Sequence, residues 1–361
     1  MEIKVMDIIQ NKINLFEYDI HHMRQFFLSI QEKKFRADQI MKWIYHQNCT
    51  SFEKMHNLPI ELRLKLVKLA CIIPLKFIKE QHSLDGSIKW GVLVGKQLVE
   101  AVYMPEKNRN TLCISTQVGC VLKCTFCLTG KQGFKRNLTV SEIIGQIWLA
   151  KYIINKTKKK KKNMLITNIV LMGMGEPLLN FNNVVTAIKI MQHPLCLGFS
   201  KRKITLSTVG IVPAIKKLMN TVDVNLAISL HAPNDDLRSK IMPINNIYNI
   251  KDILSAAKKY IQKSKANRSG ITIEYIMLNN INDSLIHAYQ LVKILSNIKS
   301  KINLIPYNYI TGSSLNCSSQ SQINLFYNFL LKKKCLVTIR KNRGIDIQAA
   351  CGQLKGNIQT K

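Results

Sequence analysis

Between residues 111 and 340, short apolar runs alternate with helical segments, which predicts an α/β fold: a partial (β/α)6 TIM-like barrel with a small helical N-terminal domain. Three observations carry this expectation. The apolar runs are continuous rather than alternating, as in parallel strands buried on both faces. A helical segment separates successive runs. Six such units can be counted, fewer than the eight that close a barrel, so the barrel is expected to stay open. In such an architecture the functional residues gather at the C-terminal ends of the strands.

Residues 1–80 look helical, and 1–85 are expected to form an accessory domain that binds RNA. Arg36–Gln47 (RADQIMKWIYHQ) places Ile40, Trp43, Ile44 and Tyr45 near one face at helical spacing. Leu58-Pro59 followed by IELRLKLVKLA is a second amphipathic helix, its proline tolerated in the first turn. Both stripes are assigned to core. Ser87–Val94 and Lys96–Tyr103 alternate around Gly95 and predict a hairpin, in a linker region spanning 86–110. In the core, 111–340, strands are expected at Thr111–Thr116, Asn168–Met172, Lys203–Ser207, Val224–Leu230, Ile271–Met277 and Lys301–Pro306. Helices are expected near 139–155, 182–192, 212–219, 249–262, 284–297 and 321–333. Lys158–Lys162 is an unbroken lysine run, expected as a solvated loop with possible RNA contact. Thr311–Gln322 is a Ser/Asn-rich surface loop, and 341–361 is a C-terminal segment carrying Cys351.

Composition narrows the function. Lysine and arginine total 53 against 21 acidic residues, a formal charge of +32. Nucleic acid is the commonest polyanionic partner for such a chain. A wealth of Lys, Ile and Asn, which A/T-rich codons encode, supplies part of that charge without any partner. Ten cysteines follow no secreted disulfide framework, and four fall within residues 113–127. No signal peptide and no run of about 18 apolar residues is visible, so a cytoplasmic protein with no membrane partner is expected.

Cys120, Cys124 and Cys127 form a C-x3-C-x2-C run with Phe126 before the last cysteine. Three clustered thiolates suit a cubane iron–sulfur cluster with one iron left open for a ligand. A zinc site completed by a fourth ligand such as Cys113 is the alternative. Gly173-Met174-Gly175-Glu176-Pro177 follows the second strand, and its glycines let backbone approach a ligand closely. Ser207 and Thr208 end the third strand, Ser229, Leu230 and His231 end the fourth, and Asn308 follows the sixth. Singly each suits a cap or a turn. Jointly they outline one pocket. Cys351 lies in AACGQLKG just after Arg340, Lys341 and Arg343, where positive charge favours a thiolate. Glu100, in LVEAVYMPE, sits on a candidate strand.

C-x3-C-x-F-C followed by GMGEP resembles the radical S-adenosylmethionine (SAM) superfamily. The runs TLCISTQVGC, GFKRNL, LMGMGEPLLNFNNV, AISLHAPND, ITIEYIMLNN and ACGQL resemble its branch of RNA methyltransferases acting on carbon 2 of adenine in 23S rRNA and tRNA. The likeness runs from about residue 80 to the chain end, and more faintly into the N-terminus. It implies that Cys120, Cys124 and Cys127 bind a [4Fe-4S] cluster whose open iron is chelated by SAM. It implies SAM contacts from Gly175, Glu176, Ser207, Ser229, Leu230, His231 and Asn308. Cys351 matches a methyl-carrying cysteine, Cys113 a cysteine that resolves the protein–RNA adduct, and Glu100 a proton acceptor. The implied chemistry loads a methyl onto Cys351 from one SAM, activates it with a 5′-deoxyadenosyl radical from a second, and frees the base through a Cys113–Cys351 disulfide. The same likeness implies a flavodoxin-like or ferredoxin-like electron donor and a monomer.

The chain departs from that branch at three places. Pro306-Tyr307-Asn308-Tyr309 stands where Pro-Trp-Asn-Pro is usual, Leu128 replaces a small polar residue, and only ten residues follow Cys351. Two other functions remain as alternatives: methylation at carbon 8 of the same rRNA adenine, and a zinc-containing RNA-binding protein.

Overall fold

A computed structural model describes residues 12–157, 165–310 and 312–356; the lysine run at 158–162 lies outside them. Three helices dominate the N-terminal region: α1 (Ile20–Ser29), α2 (Lys34–Tyr45) and α3 (Ile60–Leu69). Asp19 caps α1, its Oδ1 accepting the His22 N–H at 2.9 Å. The predicted stripe on α2 is core: Ile40, Ile44 and Tyr45 are buried and Trp43 packs against them half-exposed. Two short strands, β1 (Ile13–Asn14) and β2 (Ala70–Cys71), pair in parallel beside these helices.

The centre of the molecule is a ten-stranded sheet. Its first four strands in chain order are β3 (Lys76–His82), β4 (Ile88–Val94), β5 (Gln97–Met104) and β6 (Thr111–Cys113). A separate hairpin, β7 (Gln117–Gly119) and β8 (Phe134–Asn137), carries the cysteine run between its arms. The rest of the large sheet is β9 (Asn168–Leu171), β10 (Ile204–Thr208), β11 (Asn225–Ser229), β12 (Ile271–Met277), β13 (Ser300–Pro306) and β14 (Leu336–Ile339). The strand order is β14-β13-β12-β11-β10-β9-β6-β5-β4-β3. From β6 to β14 neighbouring strands are parallel; β3, β4 and β5 join antiparallel. The ends, β3 and β14, do not pair with each other, so the barrel is open as expected.

The strands are clothed by α4 (Leu128–Lys131), α5 (Val140–Thr157), α6 (Phe181–Gln192), α7 (Val212–Leu218), α8 (Asp235–Ile241), α9 (Ile250–Lys263), α10 (Leu285–Leu295) and α11 (Gln320–Lys332). α9 shows how sequence makes such a layer. Asn249 Oδ1 caps it by accepting the Asp252 N–H at 2.9 Å. Ile253, Ala256, Ala257 and Tyr260, at helical spacing, face the sheet and are buried. The N-terminal region docks on α5: the Trp148 indole donates to Ile44 O at 2.8 Å and meets the Phe16 ring edge-on at 5.7 Å.

Three features differ from the sequence expectation. A seventh parallel strand, β14, follows α11; it is a half-exposed edge strand of four residues and so lacks a continuous apolar run. Residues 76–82 are strand rather than helix, with charged residues spread along an exposed edge. The 87–103 hairpin extends the main sheet through β5–β6 pairing.

Candidate active site

The cysteine run begins where β7 ends and finishes at the start of α4, which Cys127 caps. Gly119 has φ +74°, and a Cβ there would collide with Gly133 O. Cys120 N–H donates to the same carbonyl at 3.1 Å, so β8 fixes the first cysteine. Thr125 N–H bonds Ile241 O at 3.0 Å, which anchors the middle of the loop to the end of α8. The sulfurs are neighbours: each influences the others electrostatically. Burial pushes the Cys120 thiol up to about 12 and raises Cys124 and Cys127 as well. Opposing this, the N–H groups of Val121 and Leu122 face the Cys120 sulfur, and those of Thr129 and Gly130 face that of Cys127. Such N–H donors favour thiolate and suit iron–sulfur ligation, in which metal displaces the protons. Among the described residues, no three His, Cys, Asp or Glu groups have the geometry of a single-ion site. A cubane places its thiolates on separate irons and needs no such convergence.

The Gly-Met-Gly-Glu loop sits beside this run. Gly173 N–H donates to Ile114 O at 3.0 Å, and a Cβ on Gly173 would lie 2.6 Å from that oxygen. Gly175 has φ +95°, and its Cβ would lie 2.6 Å from Gln117 Cγ. Glycine is therefore required twice, by close approach and by backbone sign. Glu176 is buried. Its Oε1 accepts the Leu178 N–H at 3.0 Å and its Oε2 accepts the Val209 N–H at 2.9 Å. Burial outweighs these bonds and raises the carboxyl to about 7.

At the next strand ends, Ser207 Oγ and Ser229 Oγ lie 3.3 Å apart. Leu230 and His231 both donate their N–H groups to Glu274 O, at 3.1 and 3.2 Å. His231 has φ +62°, and its Nδ1 accepts the Ile276 N–H at 3.1 Å. Burial lowers this imidazole to about 3, so it is neutral, with the ring N–H on Nε2. Its ring meets Phe126 edge-on at 4.8 Å, closing the floor beneath the cysteine loop.

Cys120, Cys124, Cys127, Gly175, Glu176, Ser207, Ser229 and His231 line one cavity of about 160 Å³, which also reaches Cys351. A larger one of about 500 Å³ adjoins it at Cys351, Arg340 and Glu274, and Cys113 is on its wall. Cys113 and Cys351 influence each other and both influence the Arg340 guanidinium. Burial pushes the Cys113 thiol up to about 12. Cys113, Cys351 and Cys127 share the wall of this larger cavity, which Cys120 and Cys124 do not line.

Leu230 and Asn308 line neither cavity. Asn308 instead donates to Cys351 O at 3.3 Å. Glu100, also away from both cavities, is buried; its Oε2 accepts the Lys355 N–H at 2.8 Å and its Oε1 lies 3.3 Å from Lys89 Nζ. Two residues escaped the sequence analysis. Arg238 is fully buried and donates to Leu230 O, Ser229 O and Val209 O, at 3.0, 3.1 and 2.6 Å, tying the ends of β10 and β11 together. Glu274 lies 3.9 Å from Arg340 and beside both cavities. Arg238 lies on a short helix among other charges, and Glu274 is the single acid in an apolar strand; the second was a usable signal.

The strand-end pocket, the three thiols and the open barrel together define a radical SAM enzyme, and a model of the radical SAM superfamily matches residues 114–292. A second model, the N-terminal domain of ribosomal RNA large subunit methyltransferases, matches residues 13–72. The chain is 54% identical over 353 residues to the dual-specificity RNA methyltransferase RlmN of Buchnera aphidicola subsp. Baizongia pistaciae, covering 98% of this chain and 94% of that one. To the protein of the same name from Buchnera aphidicola subsp. Acyrthosiphon pisum it is 55% identical over 356 residues, 99% and 97% of the two chains. A crystal structure of a radical SAM methyltransferase from Sphaerobacter thermophilus matches with TM-score 0.87 at 34% identity, over 96% of this chain and 100% of that one. The chain belongs to the RlmN family of dual-specificity RNA methyltransferases.

Proposed function

We propose that this chain methylates carbon 2 of one adenine in the peptidyl-transferase centre of 23S rRNA and of the adenine beside the anticodon of some tRNAs. One observation carries the reading: Cys351 is held where the cavity of the three thiols meets the cavity of Cys113. An electron-poor ring carbon cannot take a methyl group by simple displacement. A carrier sulfur between an activating centre and a second thiol answers that need.

The donor set suits a [4Fe-4S] cluster on Cys120, Cys124 and Cys127, and SAM beside it. When bound, these would supply one electron, the methyl group and a hydrogen-abstracting radical. Gly175 lets backbone approach SAM, Glu176 offers a carboxylate to its ammonium, and Ser207, Ser229 and His231 line the same cavity, while Leu230 and Asn308 stand behind it, on Glu274 O and Cys351 O. Cys351 accepts the methyl on its sulfur, beside the Arg340 guanidinium. The resemblance assigns the carbon-2 proton to Glu100, which stands outside both cavities. Its carboxylate holds the Lys355 N–H, so it shares one segment with the carrier. Cys113 then attacks Cys351 and frees the base. The target adenine has to leave its stack to reach this depth.

The +32 charge and the 1–85 region fit RNA binding by a monomer in the cytoplasm, with a flavodoxin-like or ferredoxin-like protein as electron donor. Among the described residues no helix is long and apolar enough to cross a membrane. The test is mass spectrometry of digested 23S rRNA and tRNA after anaerobic reaction with SAM and a reductant. We expect 2-methyladenosine from both; 8-methyladenosine as the only product would overturn the assignment.

A further inference from the structure

A closed barrel of this type is filled by branched aliphatic side chains. Here the interior is hollow and polar. Thr205, Thr272, Lys301, Asn303 and Thr338 line the cavity of about 500 Å³. Thr205, Thr272 and Lys301 stand at the N-terminal ends of β10, β12 and β13, whereas Cys113 ends β6 and Cys351 lies at the opposite side of the barrel. Glu106 and Arg109, before β6, and Lys301, at the start of β13, are exposed lining residues at that N-terminal side, and Lys341 is an exposed one past the end of β14. The cavity therefore runs from solvent at the N-terminal face to the sulfur pair. It reaches them from the side away from Glu176, Ser207 and Ser229. Its wall carries five cations, Arg109, Lys301, Arg340, Lys341 and Arg343, against two carboxylates, Glu106 and Glu274.

A turnover ending in a Cys113–Cys351 disulfide leaves the carrier unable to accept another methyl until two electrons are returned. Cys113 is 7% exposed and lines the cavity, whereas Cys351 is half-buried. The volume is within the range of small-molecule sites. We propose that a small anionic thiol enters the barrel from its N-terminal face and reduces this disulfide; the proposal rests on the two-cysteine function above. Its thiolate attacks the Cys113 sulfur, forms a mixed disulfide and releases the Cys351 sulfur, which takes up the proton the thiol gave up. A second molecule of the thiol attacks the mixed disulfide and releases Cys113. Two thiols thus become one small disulfide, their two electrons reduce the protein bond, and their two protons end on the cysteines.

The test uses the full cluster-loaded chain, kept anaerobic and oxidised by disulfide exchange, with the Cys113–Cys351 link verified by peptide mass spectrometry. Reduction is timed with glutathione, which is anionic, and with 2-mercaptoethanol, which is neutral. In the double variant Arg109→Glu, Lys301→Glu we expect the glutathione rate to fall about tenfold, since charge at an entrance acts on charged ligands. The 2-mercaptoethanol rate should stay within about twofold, which also shows that the variant is folded. Saturating S-adenosylhomocysteine should leave the wild-type glutathione rate unchanged. An unaffected glutathione rate in the variant, equal slowing of both thiols, or a block by S-adenosylhomocysteine would each overturn this route. Failure of the disulfide to form at all would instead overturn the two-cysteine function, and the route with it.

Discussion

With Glu176 in its proposed place against the SAM ammonium, SAM binding acquires a pH dependence of defined sign. Burial holds its proton up to about pH 7, against two backbone N–H bonds that favour the carboxylate. A ligand ammonium needs the ionised form. One unit below that value only about one-eleventh of the sites are ionised, so affinity should drop about tenfold, or about 1.4 kcal/mol. S-adenosylhomocysteine carries the same ammonium and cannot be cleaved. Calorimetry with the cluster-loaded protein, in two buffers of different ionisation enthalpy, reads both affinity and protons released. Near pH 6 we expect about 0.9 proton released per ligand, falling to about 0.1 near pH 8. His231 stays neutral across this window, because burial lowers it to about 3. Glu176→Gln should bind weakly with no slope. A flat wild-type affinity, or the same slope in the variant, refutes the reasoning. Without ligand the folded chain keeps this proton longer than the unfolded one. Its stability should therefore decline as pH rises from the ordinary glutamate range through about 7.

Three further outcomes follow from packing and chemistry. Gly175→Ala adds a Cβ 2.6 Å from Gln117 Cγ at φ +95°, whereas Gly198→Ala, at φ +67°, meets nothing within 4 Å. Denaturation should show a loss of about 3 kcal/mol for the first and about 1 kcal/mol for the second, and equal losses would refute the steric argument. Arg238→Met leaves two buried carbonyls and one part-buried carbonyl without their donor and should destabilise by about 3 kcal/mol; an unchanged urea midpoint would show that they find other partners. Cys113→Ala should accumulate an RNA-crosslinked protein on denaturing gels, and absence of the adduct would remove its resolving role.

Much of this architecture is legible because its causes are local. A continuous apolar run marks β9, whereas β10 and β13 alternate, with Thr205, Lys301 and Asn303 on the cavity side. The half-exposed β14 and charged β3 are not legible in that way, because their strand character comes from a neighbour's backbone rather than from their own composition. The candidate site divides similarly. Cys120, Cys124 and Cys127 declare themselves by spacing, and Gly175-Glu176 by position after a strand. Arg238 does not, because its partners are carbonyls 8, 9 and 29 residues away, which only the folded strand ends assemble.

The C-terminal segment follows from both kinds of cause. Its glycines are visible in the sequence; its anchors are not. Leu128 N–H donates to Gly352 O at 2.8 Å, Thr129 Oγ1 to Leu354 O at 2.9 Å, Gln353 to Tyr309 O at 3.0 Å, and Lys355 N–H to Glu100 at 2.8 Å. Asn308 holds the Cys351 carbonyl itself. The Cys351 segment is thus fixed by α4, by β5 and by the loop after β13, with Gly352 at φ +83° inside the anchored stretch and Gly356 at φ +53° just after it. In the proposed reaction the Cys351 sulfur faces first the methyl donor, then the base, then Cys113, which calls for a strap held by several bonds that can be released singly. Each bond is worth about 1 kcal/mol net. A rigid strand would hold Cys351 well in one of these orientations and shut it out of the other two.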